Sequence, residues 1–173
     1  MRTLPFVLLL MLLLVSGCDS NGSNGDDDDT QGQTGSFTAT VTGAVSASLQ
    51  GTATFGASAA GQDSADGFGL VMGSSSVNPE IVFGSAQPRP GTGTQTVINF
   101  VESGSATSGQ VFATYTRGTV VYGSVSGTLR LTESSDSEVA GTFEFEAINL
   151  INPTETVTVS GSFDARGIDI GSR

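Results

Sequence analysis

Histidine, lysine and tryptophan are absent from the 173-residue chain, and cysteine occurs once. Without histidine the ordinary serine and cysteine triads and most zinc sites are excluded, and without lysine so is Schiff-base chemistry. A single cysteine has no partner within the chain, so no internal disulfide forms. Cations are scarce as well: six arginines face seventeen acidic residues, for a net charge of −11. Nucleic-acid backbones are held by clustered Lys and Arg, so no nucleic-acid partner is expected. An acidic, lysine-free composition suits a salty environment, and a codon bias towards arginine accounts for it equally well. Long apolar runs are also missing. The longest, Leu4 to Val15, holds twelve residues, which as a helix spans roughly 18 Å against the ~30 Å of a bilayer's hydrocarbon core.

That run follows a short basic start, Met1-Arg2-Thr3, and ends at Val15-Ser16-Gly17-Cys18. An aliphatic residue, two small residues and then cysteine resemble the lipobox of bacterial lipoproteins. The resemblance implies a diacylglycerol thioether on Cys18, cleavage before it and acylation of the new amine. Removing the leader removes Arg2 and leaves −12. Lipidation also accounts for a lone cysteine in an exported protein, which is otherwise a free thiol or an intermolecular bridge. The expected organisation is a signal peptide over 1–17, a lipidated cysteine and acidic tether over 18–36, and one β domain over 37–170.

The tether reads DSNGSNGDDDDTQGQTGS from Asp19 to Ser36 and contains no large apolar residue, so nothing in it offsets the entropy of ordering. Asp26 to Asp29 form a self-repelling spacer. They also resemble the acidic patch that sends some lipoproteins to the cell surface, although here they start eight residues after Cys18. Asp19 resembles an inner-membrane retention signal of enteric bacteria. The expected address is the cell envelope with a lipid anchor in the outer membrane, and surface exposure is the alternative. A run of aspartates supplies charge without the shaped loop that calcium requires.

In the three regular segments between Val125 and Ala165 odd positions are small or apolar and even ones almost all polar. The inward set reads Val125, Gly127, Leu129, Leu131; Val139, Gly141, Phe143, Phe145, Ala147; Val157, Val159, Gly161, Phe163, Ala165. This is the period of strands wet on one face and dry on the other. Keeping odd residues on one face requires loops of odd length. Pairing Glu133 with Ser137 and Asn149 with Glu155 satisfies this, and sets Gly127, Phe143 and Gly161 side by side, with Leu129, Gly141 and Phe163 beside them. Each phenyl ring then covers a neighbouring glycine. Phe37 to Phe55 alternates likewise and, being too long for one ordinary strand, predicts a hairpin turning near Gly43 to Val45.

Residues 56–67 are small and polar, which predicts a loop. Shorter apolar runs follow at Phe68 to Met72, Glu80 to Phe83, Gln95 to Val101, Gln110 to Thr116 and Thr119 to Tyr122. They read as strands, with Pro88-Arg89-Pro90-Gly91 a stiff connection and Glu102 to Gly109 a flexible one. Ile168 to Ile170 adds an edge segment or frays. The expected fold is all-β: an antiparallel β-sandwich of about nine to ten strands, with a small closed, calycin-like β-barrel as the alternative that inward glycines favour. The order of Phe37-Thr38-Ala39-Thr40-Val41, Pro90-Gly91-Thr92-Gly93, Val139 to Ala147 and Val157 to Asp164 resembles uncharacterised single-domain bacterial lipoproteins. That resemblance covers most of residues 36–165 and brings no assigned activity.

The chemistry still open is carboxylate chemistry. Glu144 and Glu146 share the polar face of a strand, where solvation is the simpler account than an acid/base pair. Asp63 and Asp66 lie in a glycine-rich stretch. Arg89 and Arg117 sit in or beside turns, as surface charges or as contacts for an anionic partner. Tyr115 and Tyr122 read as packing residues with wet hydroxyls rather than a sugar platform. No catalytic, cofactor-binding or metal residue is assigned. The expected function is a non-enzymatic, membrane-tethered structural or interaction module. A carrier of a small molecule or lipid is the second reading and a carboxylate-dependent hydrolase the third. A carrier needs an open apolar cavity, whereas a module fills its core.

Overall fold

The computed structural model describes residues 34–57, 67–73 and 79–167. The chain divides into two units, Met1–Thr30 and Gln31–Arg173, and all described residues belong to the second. The expected lipobox Val15, Ser16, Gly17 and Cys18, the aspartates at 26–29, Asp63, Asp66 and Ile168 to Ile170 lie outside the described residues.

Nine strands carry the described fold: β1 (Gly35–Gly43), β2 (Ala47–Ala57), β3 (Phe68–Gly73), β4 (Pro79–Ser85), β5 (Gly93–Val97), β6 (Gln110–Arg117), β7 (Val120–Ser134), β8 (Glu138–Asn149) and β9 (Thr156–Gly167). They form one sheet in the order β1-β2-β3-β4-β6-β5-β7-β8-β9, and β9 pairs back onto β1 from Ser36↔Asp164 to Gly43↔Val157. Closure leaves neither terminal strand as a free edge. The two architectures set out above meet here, because hydrogen bonding closes a ring while opposite walls touch across the interior as sandwich sheets do. Phe83 on β4 stands edge-on to Phe143 and Phe145 on β8, with centroids 5.4 and 5.5 Å apart. The lower end is where β1 begins and β9 ends; the turns β1–β2, β6–β7 and β8–β9 lie at the upper end.

Alternation becomes burial. Phe37, Ala39 and Val41 of β1, Leu49, Ala53 and Phe55 of β2, and Val157, Val159 and Phe163 of β9 are buried, and Ser36, Thr38, Thr40 and Thr42 between the β1 residues are exposed. The β1–β2 hairpin turns at 44–46, beside the predicted position. The β8–β9 register also matches, with Phe143 opposite Gly161 and Gly141 opposite Phe163.

The β7–β8 register differs by two residues: Phe143 pairs with Leu129, and Phe145 with Gly127. The turn is the cause. Ser135, not Ser134, opens it, because its hydroxyl accepts from Glu138 N–H at 3.1 Å and its own N–H reaches Glu138 O at 2.8 Å. A bulge between Leu131 and Glu133 then restores parity. Gly127 survives this shift as the residue its place requires. Its φ is +153°, and a Cβ there would come within 2.6 Å of Phe145 Cα.

Two predicted runs, Thr119 to Tyr122 and Val125 to Leu131, belong to the single strand β7. A bulge between Ser124 and Ser126 reverses its parity, so Tyr122 and Ser124 point inward and Val125, expected inside, is 36% exposed. The predicted strand to Val101 stops at Val97. Asn99 caps a 3-10 helix, Phe100–Ser105, by accepting from Val101 N–H at 3.1 Å, so part of the expected flexible connection is ordered.

β6 and β7 pair directly only near their shared turn, from Thr114↔Gly123 to Arg117↔Val120. Lower down they part, and β5 enters between them, parallel to β6 and antiparallel to β7. Where strands fork, backbone groups lose ladder partners. Ser124 fills the gap: its buried hydroxyl accepts from Ala113 N–H at 3.0 Å and donates to Ile98 O at 2.7 Å. Ser124→Ala orphans both groups and should destabilise the fold by about 2–4 kcal/mol in denaturant titration. Phe143→Ala should cost about 3–5 kcal/mol, and a change below about 1 kcal/mol would contradict its inward position.

Candidate functional site

The ring presents two unlike outer walls. On β2, β1 and β9 the outward rows run Gln50–Thr38–Ser162 and Ser48–Thr40–Ser160, flanked by Thr52 and Thr54 on β2 and Thr42, Thr156 and Thr158 at the upper ends. Thr38 and Ser162 hydroxyls lie 3.4 Å apart across strands. Charge enters this face at its lower end, where Asp164 shares the row of Ser36 and Thr52 and Arg166 pairs with Thr54.

In the upper half of the other side apolar residues stand among Glu80, Thr114 and Thr116. An outward row runs Val71–Val82–Thr114–Gly123–Ile148 from β3 through β4, β6 and β7 to β8. Below it Phe112 lies over Gly84, where an added Cβ would fall inside the ring's van der Waals contact. Above Gly123 sit Leu150 Cδ2 and Phe100 Cβ, 2.8 and 3.0 Å from the place of a Cβ. The Phe100 and Phe112 rings meet edge-to-face at 5.7 Å. The 3-10 helix is thus fastened to the outside of the ring, and Leu150 N–H bonds Val121 O at 3.0 Å to fasten the β8–β9 loop beside it. Val71 is 39% exposed, Leu150 42%, Val101 77% and Ile151 86%. Contiguous apolar surface of this kind marks interaction sites.

The residues singled out from the sequence do not come together. Glu144 and Glu146 stand exposed on the outer face of β8, beside the hydroxyls of Thr128, Ser160, Ser126 and Thr158. Arg89 is no free surface charge. It pairs with Asp136 at 2.7 Å and its guanidinium lies 5.9 Å from the centre of the Phe55 ring, while Ser134 donates to Pro90 O at 2.6 Å. Together these contacts draw the β4–β5 segment over the lower end of the core. Arg117 is exposed at the upper end of β6. At the lower end Arg166 binds Glu138 and approaches Asp164 at 3.5 Å.

Tyr115 and Tyr122 stack with centroids 5.7 Å apart, both buried. The expected wet hydroxyl is dry at Tyr115: its OH is buried and has no hydrogen-bond partner among the described residues. Burial pushes its phenol up from the usual 10.0, against the nearby Arg117 charge, which lowers it. Sequence reasoning missed the apolar wall, although Leu70-Val71-Met72, Ile81-Val82-Phe83 and Val111-Phe112-Ala113 are unbroken apolar runs, the mark of strands covered on both faces.

The raised phenol links folding to alkaline pH. Its contribution is complete below the unfolded value and is lost as pH climbs beyond it, because the unfolded chain releases a proton the folded one keeps. In ultraviolet titration, part of the phenolate signal should therefore appear only as the fold is lost. Tyr115→Phe should remove that part and leave stability unchanged or higher, since the hydroxyl has no bond to lose.

No family model, curated protein or solved structure matches this chain.

Proposed function

We propose that this chain is a non-enzymatic, lipid-anchored protein of the bacterial cell envelope, its β domain serving as a structural or interaction module. The observation that favours a module over a carrier is ring contact across the interior: Phe83 from one wall meets Phe143 and Phe145 from the opposite one, at a level where a carrier of the same fold would keep an open apolar space. A hydrolase reading draws no support from Glu144 and Glu146, which face solvent among hydroxyls. The anchor is Cys18, read from Val15-Ser16-Gly17-Cys18, and several acyl chains there hold the chain stably where one is marginal. The outer membrane is the proposed address.

The test is Cys18→Ala. The variant should leave the membrane fraction and lose palmitate labelling, while the wild-type chain pellets with membranes and labels. A variant that still pellets and labels sinks the anchor.

A further inference from the structure

We propose that residues 86–92, between β4 and β5, are a lid on the lower end of the ring that opens as a unit, with the Arg89–Asp136 ion pair as its latch and ionic strength as its control. The lid goes beyond the module reading and stands without it.

Hydrogen-bonded ladders close the sides of the ring, but the lower end is closed by other means. Among the described residues the segment joins no ladder and is held by side chains. Arg89 pairs with Asp136 on the β7–β8 turn at 2.7 Å and lies 5.9 Å from the centre of the Phe55 ring on β2. Ser134 donates to Pro90 O at 2.6 Å, and Gln95 Nε2 donates to Gly91 O at 3.3 Å. A segment held by so few contacts opens at far less cost than the sheet does. Its own residues suit a part that swings whole. Pro88 and Pro90 fix φ on either side of Arg89 and stiffen the arm. Gly91 and Gly93 follow, both with open space where a side chain would stand and Gly93 at φ +125°, which gives the arm a hinge.

The latch is in water, whereas what it covers is not. The Asp136 side chain is fully exposed and that of Arg89 is 23% exposed, so dissolved salt screens the pair. Beneath the arm Ser85 and Gln95 face inward and are buried, and Ser85 Oγ accepts from Gln87 N–H at 3.0 Å. Phe55 is buried against Arg89, and Phe37, Phe68 and Phe163 are buried at the same end. Closed, the lower end shows water prolines, an arginine and an aspartate; open, it shows phenylalanine. Salt therefore sets how often an apolar end is uncovered.

The Cys18→Ala chain contains no cysteine, so Ser85→Cys in that background places one thiol beneath the arm. Its rate of alkylation by N-ethylmaleimide, an uncharged reagent, reads the opening. Asp136→Asn should raise that rate about two- to fivefold, the range an exposed pair supports. Adding about 0.5 M NaCl should raise it in the chain that keeps Asp136 and leave it unchanged in the chain with Asp136→Asn. Low urea should barely alter it, because opening the lid exposes little surface compared with unfolding the ring. Glu144→Gln, which removes a negative charge from the outer face of β8, should have no effect. Gln95→Cys serves as the reporter if Ser85→Cys fails to fold. A rate that climbs steeply with urea and ignores Asp136→Asn means that the thiol is reached only by global unfolding, and overturns the lid. A thiol that is never alkylated in the native chain overturns it too, and a rate indifferent to salt overturns the latch.

Discussion

The pairing of β9 with β1 is the constraint from which the rest follows. A closed ring must turn one face of every strand inward all the way round, because a one-residue slip anywhere exchanges inside for outside. β7, the longest strand, meets β6, β5 and β8 in turn and cannot keep one parity against all of them. Two bulges reconcile it. The one at Ser124 to Ser126 passes the inward role from Tyr122 and Ser124 to Gly127 and Leu129, and the one after Leu131 absorbs the turn that Ser135 opens. Closure also removes the free edges through which sheets ordinarily recruit another strand. A partner must therefore meet this domain on a face or at an end.

The fork between β6 and β7 shows how the ring grows wide enough to hold its aromatic interior. Inserting β5 adds circumference in the lower half, near the Phe83, Phe143 and Phe145 cluster, while the upper half stays narrower around the stacked Tyr115 and Tyr122. Insertion costs backbone bonds where the strands part, and one hydroxyl, that of Ser124, replaces two of them. The return from β5 to β6 is the segment that carries the 3-10 helix, so the device that widens the inside also delivers Phe100 to the outside.

Periodicity made much of this legible. The odd positions of Phe37 to Phe55 and of the three regular segments between Gly127 and Ala165 could be read as inward because the even positions between them are nearly all polar, and the β8–β9 register followed from an odd loop. The β7–β8 register did not, because it depends on Ser135 bonding to Glu138, a side-chain choice that leaves no periodic trace. The 3-10 helix was hidden for a similar reason: Ile98-Asn99-Phe100-Val101 continues an apolar run, and Asn99 ends the strand by capping. For the site, the sequence exposed which chemistry was absent but not where apolar surface would face. In Leu70-Val71-Met72 both faces are apolar, and only the sheet order shows that Val71 points away from the core.

The distribution of polarity around the ring makes the apolar wall a choice rather than a default. Serine and threonine occupy most outward positions on β1, β2 and β9, with Gln50, Asp164 and Arg166 among them. The same fold had outward positions on β3, β4, β6 and upper β7 and filled them with Val71, Val82, Phe112 and Val121. Apolar side chains left in water add nothing to folding. Phe112 and Phe100 recover part of that area by lying over Gly84 and Gly123, yet Val101, Leu150 and Ile151 stand further out than that cover requires. Glycine at 84 and 123 lets the Phe112 and Phe100 side chains lie close to the sheet, where any Cβ would hold them off, so the outer layer depends on those two glycines as the core depends on Gly127.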